Sequence, residues 1–120
     1  MSDIQQANIP ASTVSLLASA ARTTTAAGTA VTGFAAARLL VLQLNVTAAS
    51  GTTPSLSVAV QDTVDGTNWN TITTFTTATA VTREVVRLTT AFTDRLRVIW
   101  VVEGTTPSFT FDVSTWADSN

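Results

Sequence analysis

The chain contains no cysteine, histidine, lysine or tyrosine, and these absences exclude several classes of function. Without cysteine there are no disulfides, no thiolate nucleophiles and no thiolate metal ligands. Without histidine or lysine there is no Ser–His pair, Cys–His pair or Ser–Lys dyad for nucleophilic catalysis. Acid–base chemistry would fall to Asp and Glu, and their pattern gives no pair facing across a cleft. We therefore expect a protein that is not an enzyme and needs no cofactor.

Charge is also scarce. Charged residues make up 12% of the 120 residues, about half of typical usage, and the formal net charge is −2. The six basic residues are all arginine and are scattered, so no stripe of positive charge predicts nucleic-acid binding. The longest apolar-rich run, Leu39 to Val46, is too short to span a membrane and contains Gln43 and Asn45. The first ten residues lack a basic start and an apolar stretch, which predicts no secretion signal.

Threonine takes the place of the missing charge and fills about a fifth of the chain. It is β-branched, fits the pleated surface of a sheet, and is polar without being charged. A surface rich in Thr and Ser repels copies of itself weakly, which suits a protein that ends packed against another. Apolar residues make up 45% of the chain, enough for the core of one domain.

Short runs with alternating or β-branched residues follow one another from Thr13 on, separated by Gly, Pro and Asp-Gly. The predicted strands are 13–18, 22–26, 29–33, 38–46, 55–62, 69–77, 82–90, 94–103 and 107–115. About 7–9 short strands at this spacing predict an all-β fold, an antiparallel β-sandwich of jelly-roll-like form. Residues 1–12 contain Pro10 and no periodicity, so they are predicted to be a flexible N-terminal arm before a single domain, 13–120.

The pentapeptide GTTPS occurs twice, at 51–55 and at 104–108, each time between an apolar run and an alternating run. Gly permits unusual backbone angles, Pro fixes φ, and Thr and Ser hydroxyls bind loop amides. Each copy is therefore interpreted as the connection of a hairpin, in related places of the same sheet or of facing sheets. A third hairpin is predicted at Asp65-Gly66, which lies between two alternating runs.

Two groups of residues carry weaker functional signals. Asp62, Asp65 and Asn68 could offer oxygens to Ca²⁺, but turn chemistry explains the same residues, and no metal site is predicted. Trp69 and Trp100 are interpreted as core or hairpin-end residues, and Trp116 as an exposed residue that could stack on a sugar.

Four of the six arginines fall in one quarter of the chain: Arg83, Arg87, Arg95 and Arg97. They could be a solvated strand face paired with Glu84 and Asp94, which would add little stability. Because arginine is favoured at interfaces and lysine is depleted there, we interpret them instead as a contact face.

Three stretches resemble the small Thr-rich β proteins found in virion gene clusters of tailed bacteriophages: SLLASAARTTTAAG, ARLLVLQLNVTAASGTTPSLSVAVQDTVDGTNWNTI and DRLRVIWVVEGTTPSFTFDVS. The resemblance covers about residues 13–115. It rests on the two GTTPS segments, the Asp-Gly-x-x-Trp turn and the Arg-Leu-Arg strand. It implies a structural virion protein of the capsid decoration (cement) type, with a jelly-roll-like sandwich.

On this reading the partner is the major capsid protein, and the chain is a homo-oligomer, a dimer or a trimer. It is made in the host cytoplasm and ends on the capsid surface of the virion, where it stabilises the head. Expected contact residues are Ile4, Ile9 and Pro10 of the arm, with Arg83, Arg87, Arg95 and Arg97. The alternatives are a structural protein of the tail or baseplate and a carbohydrate-binding β-sandwich module.

Overall fold

The computed structural model describes residues 12–118, which are all-β and contain no helix. Six strands form one antiparallel sheet in the order β1-β6-β3-β4, with β2 pairing β6 and β5 pairing β3. The strands are β1 (Ser12–Arg22), β2 (Ala26–Ala27), β3 (Leu39–Thr63), β4 (Trp69–Thr74), β5 (Thr82–Arg87) and β6 (Arg95–Asp118). The all-β, antiparallel prediction is confirmed. The predicted count of 7–9 short strands is wrong for this part of the chain, because β3 and β6 are each two predicted strands in one and the predicted strand 29–33 is only an isolated bridge at Val31.

The centre of the sheet is a ribbon in which β3 pairs with β6 along almost the whole length of both strands. Residues 39–50 of β3 pair with 108–118 of β6, and we call this part the Leu42 half. Residues 55–63 of β3 pair with 95–103 of β6, and we call this part the Val58 half. Strands β5 and β1 flank the Leu42 half, whereas β4 and β2 flank the Val58 half.

The two GTTPS segments lie opposite each other between these halves, where the β3–β6 register shifts. Gly51 has φ +115° and lies against Thr105–Pro107, while Gly104 has φ +122° and lies against Thr52–Pro54. The expectation that the repeats occupy related places in one sheet is confirmed. The hairpin interpretation is wrong, because each segment continues within a single strand and lies opposite the other repeat. Proline is tolerated there because a register shift removes the ladder bond that its missing N–H would make.

The ribbon bends at this point. A straight strand of 25 residues would be about 80 Å long at ~3.3 Å per residue, but the longest dimension of the molecule is 57 Å. Trp100 and Phe111 are separated by 11 residues on one strand, yet their ring centroids are 5.9 Å apart in an edge-to-face contact. The buried faces of the two halves therefore meet.

Alternation of side chains builds the core from these meeting faces. Alternate residues are buried along both halves of β6 and from Leu40 to Val46 of β3, and the buried positions of β6 change from even to odd numbers across its GTTPS segment. Four residues of each strand lie between the pairs Ser50–Ser108 and Ser55–Glu103, so the change of parity comes from the irregular geometry of both GTTPS segments and not from an extra residue in one strand. The fully buried side chains include Leu42, Leu44, Leu56, Val58, Leu96, Val98, Phe109 and Phe111.

Arg22, at the end of β1, closes one side of the core. Its guanidinium lies 4.9 Å from the Trp100 ring centroid and 4.7 Å from that of Phe111. It also donates hydrogen bonds to the carbonyl oxygens of Ala18, Ala20 and Phe111. Partial burial lowers the pKa of Arg22, and the nearby charge of Asp112 raises it. The cation therefore joins the two halves where their aromatic rings meet.

Candidate functional site

The outer face of the Leu42 half carries the most exposed aromatic residue of the described chain. Trp116 is 46% exposed and lies between Thr13 on β1 and Val41 on β3. Its neighbours Thr115 and Ala117 are buried, so the alternation of β6 directs Trp116 outward. The expectation that Trp116 is exposed and Trp100 is buried is confirmed.

Polar and small apolar side chains surround Trp116 in a shallow groove. Its lining includes Thr13, Val41, Gln43, Val85, Ser114 and Trp116, which we call the Trp116 face. Strand pairing explains the grouping, because Gln43 is opposite both Val85 and Ser114. No acidic or basic residue lines this groove. The groove therefore offers an apolar packing surface and neutral hydrogen-bonding groups.

Two arginines border the Trp116 face on β5. Arg83 and Arg87 are exposed, and Arg87 is opposite Val41 in the sheet. Neither guanidinium makes an ion pair or hydrogen bond with another described residue. Both charges are therefore available to a partner.

Arg95 and Arg97 lie elsewhere, on the Val58 half. The Nε of Arg97 donates to Oε1 of Gln61 at 2.9 Å, and its guanidinium stacks 4.4 Å from the centroid of Trp69. The Arg95 side chain lies against Gly66 in the β3–β4 loop. The structure thus divides the four predicted contact arginines into two pairs on different halves. Ile4, Ile9 and Pro10, the other predicted contacts, lie outside the described residues, as does most of the predicted arm.

The Asp65-Gly66 turn joins β3 to β4, as predicted. One oxygen of Asp65 accepts the backbone N–H groups of Thr67 and Asn68, both at 2.8 Å. The other accepts the side-chain amide of Asn68 at 2.8 Å, and the Thr63 hydroxyl also donates to Asp65. These bonds, led by those from Asn68 and Thr67, hold the pKa of Asp65 well below its usual range. Asp62 instead accepts the backbone N–H of Thr93.

We predict that Asp65 makes stability depend on pH. A depressed pKa means that the ionised form stabilises the fold above the unfolded-state pKa, about 3.9, and that this contribution is lost as the pH falls below it. Asp65→Asn keeps an acceptor but carries no charge. Its Tm should therefore lie below that of the wild type at pH 7, and the gap should narrow between pH 4 and pH 2. A gap that stays constant over this range would contradict the assignment.

Two useful features were not found from the sequence. The stacking of Arg22 on Trp100 and Phe111 depends on the bend of the ribbon, and no local sequence pattern predicts that bend. The grouping of Gln43, Val85 and Trp116 depends on three strands that are distant in the chain. Alternation alone could have indicated that Trp116 faces outward, since Phe109, Phe111 and Val113 form the opposite, apolar face.

The chain matches no protein-family model, no curated protein and no solved structure. Residues 12–118 include no group of three or more His, Cys, Asp or Glu side chains arranged to hold a metal ion. In the same part of the chain, no helix has the length and apolarity needed to cross a membrane. The function is therefore inferred from the composition of the chain and from the geometry of its exposed faces.

Proposed function

We propose that this chain is a non-enzymatic structural protein of a tailed-bacteriophage particle, a capsid decoration protein that binds the outer surface of the head and stabilises it. The observation that carries the proposal is the Trp116 face with its border of free arginines, on a molecule that is otherwise poor in charge. Trp and Arg are the residues most enriched among the dominant contacts of protein interfaces. The partner is the major capsid protein, and the chain is made in the host cytoplasm before it joins the virion.

The fold that we propose for this role is a jelly-roll-like β-sandwich, with each half of the ribbon as one layer. With the halves counted separately, one layer has the order β5, β3, β6, β1 and the other has β4, β3, β6, β2. The contact between Trp100 and Phe111 supports layers that face each other. Two four-stranded layers with long connections between them are typical of jelly rolls, which recur in viral capsid proteins.

Binding of many copies would stabilise the head by mass action, because each copy binds assembled capsid and not its dissociated subunits. A dimer or trimer would engage several capsid subunits at once. Its avidity would then exceed the affinity of a single Trp116 face.

The proposal is tested by co-sedimentation of the purified protein with undecorated, expanded heads of the phage that encodes it. We expect saturable binding at a fixed ratio to the major capsid protein. Trp116→Ser removes the central exposed ring and should weaken binding by tenfold or more, as loss of a dominant interface residue does.

Val101→Ser is the matched control, because Val101 is 40% exposed on the Val58 half, away from the Trp116 face. It should bind heads as the wild type does. If the wild type did not bind heads, the decoration role would be rejected. If Trp116→Ser bound heads as tightly as the wild type, the Trp116 face would not be the surface that binds the capsid.

Two other roles differ in their expected results. A tail or baseplate protein would bind tails and not heads. A carbohydrate-binding module is favoured by one observation, the exposed Trp116 ring beside the neutral polar groups of Gln43, Ser114 and Thr13. It predicts a change in Trp fluorescence when glycans are added, which the decoration role does not.

A further inference from the structure

Strand β5 has an open edge. Its only partner among the described strands is β3, and the six residue pairs from Val46–Thr82 to Val41–Arg87 follow without a register shift. The other edge strand of the Leu42 half, β1, has two register shifts. Bulges of that kind prevent the addition of another strand, whereas a regular edge permits it.

The hydrogen-bond pattern shows which residues of β5 face this open edge. The N–H of Leu88 donates to the carbonyl of Leu40 at 3.0 Å, so Leu88 is oriented toward β3. Antiparallel pairs alternate, so the backbone groups of Val86 and Glu84 are also directed to β3. The N–H and C=O groups of Arg83, Val85 and Arg87 are therefore directed away from β3.

The same three residues display their side chains on the outer face. Arg83 and Arg87 are exposed and have no partner among the described residues, and Val85 between them is 39% exposed. At the open edge, the backbone groups of these three residues have no partner strand among the described residues. Their side chains are in turn positive (Arg83), apolar (Val85) and positive (Arg87).

We propose that β5 binds an extended segment of a partner protein as an added strand. That segment carries carboxylates at positions i and i+4 and an apolar residue at i+2. The backbone groups of residues 83, 85 and 87 would pair with it, while its carboxylates would face Arg83 and Arg87 directly across the new ladder. The inference specifies the chemistry of a segment that would bind along β5, at the border of the Trp116 face. It applies to any protein that carries such a segment.

A second copy of this chain fits the edge less well. If β5 paired in antiparallel fashion with β5 of another copy through its outward-directed residues, in a register centred on Val85, Arg83 would lie opposite Arg87 of that copy. Like charges directly opposite each other destabilise a strand pair. The charges therefore favour an acidic partner over self-association.

The test uses a fluorescein-labelled peptide of sequence Ser-Thr-Glu-Thr-Val-Thr-Glu-Thr-Ser and the full-length protein, measured by fluorescence anisotropy. We expect saturable binding that weakens as salt is raised from 50 mM to 500 mM. A peptide with Gln in place of both Glu residues should bind about tenfold more weakly, as should the protein variant with both Arg83→Gln and Arg87→Gln.

Val85→Pro tests the added strand itself. The N–H of residue 85, which proline lacks, is directed to the open edge. The ladder to β3 therefore stays intact, and Tm should fall by only a few degrees. Peptide binding should nevertheless be lost. Val86→Pro is the matched contrast, because Val86 bonds to β3, and this variant should show a much larger fall in Tm.

Absence of binding at 1 mM peptide would overturn the inference, and so would unchanged binding by either the Val85→Pro protein or the double arginine variant. The peptide assay contains no virion component, so its failure leaves the result of head co-sedimentation untouched. Conversely, peptide binding without head binding would retain the β5 site and reject the decoration role.

Discussion

Gly51→Ala is expected to destabilise the protein by about 3 kcal/mol or more, and Gly104→Ala by a similar amount. Both glycines have φ beyond +110°, which residues with a Cβ rarely adopt. A Cβ on Gly51 would lie 2.8 Å from the carbonyl oxygen of Thr106, and one on Gly104 would lie 2.9 Å from that of Thr53. The contacting atoms are backbone, so relief requires the two strands to move apart. Chemical denaturation followed by circular dichroism measures the loss.

Gly33→Ala is the control that separates backbone strain at positive φ from the steric clash of an added Cβ. Gly33 has φ +107°, but a Cβ there would meet no atom within 4 Å. It should therefore cost only the backbone strain, about 1–2 kcal/mol. If Gly51→Ala lowers the free energy of unfolding by no more than Gly33→Ala does, the two GTTPS segments do not approach each other as closely as described.

Trp100→Ala and Phe111→Ala are each expected to cost about 3–5 kcal/mol, because each removes a large buried ring. The contact between the rings adds a coupling that the double variant reveals. Since the ring centroids are 5.9 Å apart in an edge-to-face contact, we expect a coupling energy of about 1 kcal/mol in a double-mutant cycle.

Trp100→Ala combined with Val60→Ala provides the comparison, since Val60 is buried in the same core but carries no aromatic ring. Its coupling should be smaller than that of the Trp100–Phe111 pair. Additive costs for Trp100 and Phe111 would mean that the buried faces of the two halves do not meet, and would contradict the bend of the ribbon.

Local sequence predicts the strands well because alternation is a local property. The run from Leu40 to Val46 and the run from Phe109 to Val113 each show a buried face and an outer face without reference to the rest of the chain. The Asp65-Gly66 hairpin was equally visible, because a turn is closed by residues that are neighbours in sequence. The chemistry of that turn is completed by Thr63 and Asn68, two and three residues away.

The GTTPS segments could not be interpreted in the same way. Gly and Pro indicate an interruption of regular strand geometry, and both a hairpin turn and a bulge are interruptions. The choice depends on which strand pairs with which, and the partner of each segment is 53 residues away in the chain. The repeat itself was the usable signal, since two segments that pack against each other can share one sequence.

The same distinction, between local residue properties and pairing of distant strands, applies to the candidate site. The interpretation of the arginines as a contact face was argued from residue type alone, and Arg83 and Arg87 lie exposed on β5, on either side of Val85 of the Trp116 face. Proximity in sequence grouped them with Arg95 and Arg97, but β5 and the start of β6 lie on different halves of the ribbon. Sheet topology decides which charges share a face, and that topology is set by pairing between distant strands.

The copy number of this chain in purified virions tests the central claim most directly. Quantitative staining of a gel, with the major capsid protein as the internal standard, measures it without any assumption about the binding face. A decoration protein covers repeated positions on the head, so the account predicts hundreds of copies per particle. Tens of copies would place the chain in the tail, and its absence from the virion would contradict a structural role in the particle.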